Sequence, residues 1–275
     1  MKKQQGHTKG HVQSKDGTRI AYDRQGSGPT VILVGGGLTD RSENAPLAVE
    51  LAKHFTVYNY DRRGRGDSGD ILPYAVEREI EDIDALIVQS GGSAHLYGVS
   101  SGGALALEAA AAGLSGIGKL AVYEVPYNMA DIWPQQWQKY VKQLKAVLTQ
   151  GRRGDALELF MRLAGSSDEE IAGAKQSPFW ASGEALAHTL AYEAAVLGDG
   201  QPPAARFAKI TKPTLVATGT DARLSGAAAW VLALAKAADA IAASIPHAKR
   251  QTFEGQSHIA DPKIVASVLE QFFRA

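Results

Sequence analysis

Five residues of this 275-residue chain stand out for chemistry, Gly98-Val99-Ser100-Ser101-Gly102. A serine hydroxyl is a weak nucleophile until a neighbouring base takes its proton, so position decides whether it reacts. The apolar run Ala94 to Val99 predicts a strand directly before the serine, and the small-residue run Ser101 to Ala112 predicts a helix directly after it. A serine between strand and helix must occupy a tight, strained turn. Side chains on either flank would strike the neighbouring backbone, which accounts for both glycines of G-x-S-x-G. Such a turn lifts the Ser100 hydroxyl to the sheet edge and aims a helix N-terminus at a developing anion. A purely structural glycine-rich turn would show the same five residues; the strand–turn–helix context favours the reactive reading.

The surrounding elements must hold that turn in place. Thr18 to Arg24, Thr30 to Val34, Phe55 to Tyr60, Leu120 to Tyr123, Pro213 to Thr218 and Arg250 to Phe253 are short apolar or alternating runs that predict further strands. Thr30-Val31-Ile32-Leu33-Val34 is nearly continuous in β-branched and apolar residues, as in a strand buried on both faces. Val76, Ile80, Ile83 and Ile87 recur at helical spacing with acids between them. Asp261 followed by Pro262 is a helix start. Strand–helix alternation predicts an α/β protein with a mostly parallel, doubly wound sheet. From about Trp133 to Val196 the pattern is helical only. It predicts a helical cap of residues 127–207 inserted into a core of residues 1–126 and 208–275, lying over the carboxyl edge where such sheets bind ligands.

Composition narrows the function classes. Lys+Arg and Asp+Glu balance at 29 each, which argues against a broad electrostatic partner such as nucleic acid or an anionic membrane. With no cysteine there is no disulfide scaffold, no thiolate zinc site and no cysteine nucleophile. No apolar segment follows the two lysines at the N-terminus. The Ala-rich stretch Ala227 to Ile245 is interrupted by Lys236 and Asp239 and predicts an amphipathic surface helix instead of a membrane span. The expected setting is cytoplasmic, with a small-molecule substrate, no nucleic acid and no membrane partner; homo-oligomer formation stays open.

A second motif, Asp61-Arg62-Arg63-Gly64-Arg65-Gly66-Asp67-Ser68, follows the Phe55 to Tyr60 strand. Together with G-x-S-x-G it makes nearly the whole chain resemble the α/β-hydrolase superfamily, in the serine esterase and lactonase style with a helical cap. The resemblance implies that the arginine-rich loop is a structural floor under the serine turn, not a phosphate site. It implies that the base is the histidine after the last strand, here His258 in Gly255-Gln256-Ser257-His258, in preference to His7, His11, His54, His95, His188 and His247. It implies an oxyanion hole from the N–H groups of Ser101 and Gly37. The latter lies in Val34-Gly35-Gly36-Gly37-Leu38, where Gly35 takes the place of the family's usual histidine.

The same resemblance leaves two addresses for the acid. After the post-cap strand the family pattern is G-x-x-D, but Gly219-Thr220-Asp221-Ala222 carries its aspartate one residue early. After the strand that follows the serine helix stands Glu124, an acid at the end of an apolar run and costly without a partner. Asp221 is slightly favoured as the commoner address. The implied activity is hydrolysis of a small, largely apolar ester or lactone through an acyl-enzyme, with no cofactor and no metal. Metal-free perhydrolase and carbon–carbon bond hydrolase chemistry would use the same residues, and a non-catalytic ligand-binding protein on this fold is the alternative from another class. Met129, Trp133, Phe160, Met161, Phe179 and Trp180 are the cap's large apolar groups. Leu38, Met129, Trp133, Met161 and Trp180 are the expected substrate contacts.

Overall fold

In the computed structural model the described residues are 6–221 and 228–275. Ala222, where the family's aspartate usually stands, and Ala227, the expected start of the Ala-rich helix, lie outside them. The strands are β1 (Thr8–Gln13), β2 (Arg19–Gly26), β3 (Thr30–Val34), β4 (Thr56–Tyr60), β5 (Ala94–Val99), β6 (Ile117–Tyr123), β7 (Thr214–Gly219) and β8 (Lys249–Phe253). They form one sheet in the order β1-β2-β4-β3-β5-β6-β7-β8. β1 and β2 pair antiparallel, β2 and β4 pair antiparallel, and all later pairings are parallel. β1 was not anticipated, because its Thr-Lys-Gly-His-Val-Gln run is mostly exposed and carries little apolar alternation.

Period-two alternation sends the side chains of the central strands to two separate cores. Val31 and Leu33 of β3 join one apolar cluster with α1 (Ala45–Leu51) and α11 (Pro262–Arg274). Ile32 and Val34 join the other, with α2 (Val76–Gln89), α3 (Ser101–Ala111) and α10 (Ala228–Ser244). Asp261 caps α11 by accepting from Lys263 N–H at 2.8 Å. Among the described residues no helix is long and apolar enough to cross a membrane.

Chain order places the site. From β3 the chain crosses to β4 on one side, then to β5 on the other, so strand order reverses between β3 and β5. The connections that follow β3 and β5 run to opposite sides there, and open α/β sheets bind ligands in the crevice between them. The loop Gly35–Leu38 and Ser100 leave the sheet at this point.

Between β6 and β7 lie α4 (Trp133–Thr149), α5 (Arg153–Leu163), α6 (Asp168–Lys175), α7 (Phe179–Leu186), the 3₁₀ turn Ala187–Thr189, α8 (Leu190–Leu197) and α9 (Ala204–Phe207). α8 packs on α3, and Trp137 Nε1 donates to Gly198 O at 2.8 Å.

Candidate active site

Ser100 has φ 54° and ψ −130°, between the end of β5 and the start of α3. A non-glycine residue in this region is strained and persists only where its surroundings over-determine it. Here its N–H donates to Tyr123 O at 2.9 Å, and its carbonyl accepts from Gly103 N–H at 2.9 Å. The flanking glycines are required by contact. A Cβ on Gly98 would stand 2.5 Å from Gly102 O, and one on Gly102 would stand 2.3 Å from Gly35 O.

His258 lies on the connection from β8 to α11, which is tied down from several directions. Gln256 O accepts from the N–H groups of Thr220 and Asp221, at 2.9 Å each. Gln256 Oε1 accepts from Asp261 N–H at 2.9 Å, and Tyr123 OH donates to Ser257 O at 2.6 Å. The imidazole is thereby held with Nδ1 2.7 Å from Glu124 Oε2. The other carboxylate oxygen of Glu124 accepts from Gly219 N–H at 2.9 Å. With Nδ1–H donating to a carboxylate, Nε2 is left as the basic nitrogen.

Of the two candidate acids, the structure brings Glu124 to His258 Nδ1, not the slightly favoured Asp221. The reason lies in how the backbone leaves each strand. Glu124 sits one residue past β6 at φ 49°, a left-handed turn that directs its side chain along the sheet edge to His258. Asp221 sits two residues past β7, where its N–H is bonded to the Gln256 carbonyl.

Ser100 and His258 open into one cavity of about 410 Å³, also lined by Gly36, Gly37, Ser101, Glu43, Glu193, Phe160, Leu163, Leu197, Trp230 and Ile259. Of the large apolar groups anticipated from the helical block, Phe160 alone lines it. The five expected substrate contacts do not. Leu38 packs against the α2–α3 core. Met129 is an exposed residue beyond β6. Trp133 is buried against Trp137, ring centroids 6.1 Å apart. Trp180 lies under the ammonium of Lys175, 5.7 Å from its ring. Met161 follows Phe160 by one residue, about 100° around α5, and so points away from the cavity face that Phe160 and Leu163 share.

The arginine-rich loop is buried, and its guanidinium groups are held by buried carboxylates. Arg62, Arg63 and Arg65 are each no more than 2% exposed. Arg62 Nε and Nη2 donate to the two oxygens of Glu79 at 2.7 and 2.8 Å. Its Nη1 reaches Glu193 Oε2 at 3.1 Å, Ser101 Oγ at 3.3 Å and Gly35 O at 3.4 Å. Arg65 also pairs with Glu193. One guanidinium therefore braces the loop after β3, the start of α3 and the helical block at once. Burial alone would push Glu79 up; Arg62 overrides it, and with Arg65 and the Tyr74 hydroxyl holds the carboxyl at about 2. Glu193 and Glu43 are site residues that sequence reasoning missed. Glu193 sits in a helix between alanines and tyrosine, with nothing in its neighbours to mark it. Glu43 sits in an unremarkable polar loop.

These features define the class of protein. The chain belongs to the alpha/beta hydrolase family, which it matches over residues 31–268. It is similar to the crystal structure of an alpha/beta hydrolase from Sphaerobacter thermophilus, at 49% identity and TM-score 0.84, covering 96% of this chain and all of that one (100%). It is 33% identical over 165 residues to the N-formylmaleamate deformylase of Pseudomonas putida, over 58% of this chain and 60% of that protein. An uncharacterized hydrolase of Bacillus subtilis is 36% identical over 96 residues, 34% of this chain and 35% of that protein. The matches thus span about a third and three fifths of these two relatives' lengths.

Proposed function

We propose that the chain is a serine hydrolase that cleaves a small, largely apolar ester or lactone through an acyl-enzyme. The observation that carries this reading is the Glu124–His258 pair opening into one cavity with Ser100 on its strained turn. His258 Nε2 takes the Ser100 proton as Oγ attacks the carbonyl carbon, and Glu124 balances the imidazolium that forms. The N–H groups of Gly37 and Ser101 hold the oxyanion, and His258 then gives its proton to the leaving oxygen. In the second half-reaction His258 deprotonates water, which attacks the acyl carbon and frees Ser100.

The residues 127–207 act as the cap that selects the substrate. Phe160, Leu163 and Leu197 supply apolar wall, and Arg62 and Arg65 neutralise Glu193 beneath it. The deformylase name of one relative is consistent with acyl transfer to water. A fluorophosphonate probe tests the reading. Stoichiometric modification at Ser100, lost in Ser100→Ala, is the expected outcome; an unmodified wild type would point instead to a non-catalytic binding protein.

A further inference from the structure

The turn after β3 is Gly35-Gly36-Gly37, with no side chain of its own to brace it. Two polar side chains approach it, and Asn44 Nδ2 comes within 3.7 Å of where a Gly35 Cβ would stand. Glu43, in the same β3–α1 connection, has Oε2 3.9 Å from where a Gly35 Cβ would stand and 3.6 Å from where a Gly36 Cβ would stand. The same oxygen accepts from Gly36 N–H at 3.2 Å. The same Gly36 Cβ would stand 3.3 Å from Ser100 Cβ, so Gly36 lies against both the serine and the glutamate. With Gly36 N–H committed to Glu43, the next donor along the loop is Gly37 N–H. Glu43 and His258 also line a smaller cavity of about 120 Å³. None of the nucleophile, base, acid or oxyanion roles uses Glu43.

We propose that Glu43 is a positioning residue for the oxyanion hole: by accepting the Gly36 N–H it fixes the glycine loop, so that Gly37 N–H stays aimed at the developing oxyanion. This role rests on the serine-hydrolase reading. A loop of three successive glycines has more backbone freedom to lose than any other sequence, so a single outside anchor has much to hold. A misplacement of about 1 Å at a reacting centre costs about 10²-fold. Four charged or polar neighbours face the carboxylate. Burial, with a smaller contribution from Glu193, raises the carboxyl above the usual glutamate range, against the Gly36 N–H, His258 and Arg62, which favour the ionised form. Either form keeps an oxygen that accepts from Gly36, so the anchor survives protonation.

The test compares Glu43→Ala and Glu43→Gln with wild type in ester hydrolysis and in the rate of fluorophosphonate labelling at Ser100. The side chain is exposed to the cavity, and glutamine retains an acceptor oxygen. The alanine variant is expected to lose on the order of 10- to 100-fold in kcat, with labelling slowed in parallel. Its KM should stay within about threefold, and the glutamine variant should keep kcat within about threefold of wild type. An alanine variant as fast as wild type would overturn the role. So would equal losses in both variants, which would assign the effect to charge facing His258, and so would a raised KM with unchanged kcat, which would make Glu43 a substrate contact. A wild type that takes no label would sink the serine-hydrolase reading and this role together, whereas normal labelling with an active alanine variant would sink this role alone.

Discussion

At the scale of single residues the site depends on two left-handed backbones, at Ser100 and Glu124, with φ of 54° and 49°. Each ends or follows a strand and turns a functional group toward the crevice. Ser100→Ala removes only the attacking oxygen, so kcat/KM on activated short-chain esters should fall on the order of 10³-fold or more with the fold intact by circular dichroism. Retained activity with label elsewhere would reject Ser100. The acid offers a sharper comparison. Glu124→Gln preserves shape but removes the charge that balances the imidazolium, and a loss on the order of 10⁴-fold in kcat/KM is expected. Asp221→Asn should stay near wild type on the same ester. The opposite ranking would return the acid to Asp221. The residue pattern offered both carboxylates because each follows a strand ending at the same sheet edge. Choosing between them needed the direction in which each side chain leaves its turn.

At the scale of elements, α5 shows why apolar content alone misnamed the pocket wall. Phe160 and Met161 are both large and apolar, and they are adjacent in sequence, yet helical geometry sends them to different faces. Phe160→Ala should enlarge the cavity and shift preference toward longer acyl chains, while Met161→Ala should leave the chain-length profile unchanged. A kcat/KM series over p-nitrophenyl esters reads both, and a shift in the Met161 variant with none in the Phe160 variant would reverse the assignment. α8 carries the other link between the helical block and the sheet. Its Glu193 meets Arg62 and Arg65, and Arg62 in turn meets Gly35 O and Ser101 Oγ. Any shift of α8 relative to the sheet therefore pulls on the two backbone segments that border Ser100.

At the scale of the whole molecule, buried ion pairs join segments far apart in sequence, and their titration sets the acid limb of stability. Glu79 is ionised in the folded protein down to about 2, against an ordinary 4.5. Its folded value is depressed, so its contribution is fully present above pH 4.5 and is lost as pH falls toward 2. Glu79→Gln should flatten the pH dependence of stability in that window. It should also cost about 3–5 kcal/mol at neutral pH, because Arg62 would remain buried without its main partner. Denaturant unfolding between pH 2 and 7 measures both, and an acid limb as steep as wild type would assign the transition to other carboxylates. Much of this protein was legible in the chain itself. The strands β3 and β5 have the residue limits that their apolar runs predicted, the serine turn carries the glycines that its contacts require, and His258 follows the last strand. Those features are local, written in periodicity and in the steric demands of one turn. What only the tertiary structure decided is which distant groups meet: Glu124 with His258, Glu43 with Gly36, and Glu193 with Arg62. Such pairings depend on strand order, on the direction of each side chain where its strand ends, and on how the helical block seats on the sheet, and no short stretch of residues carries that information.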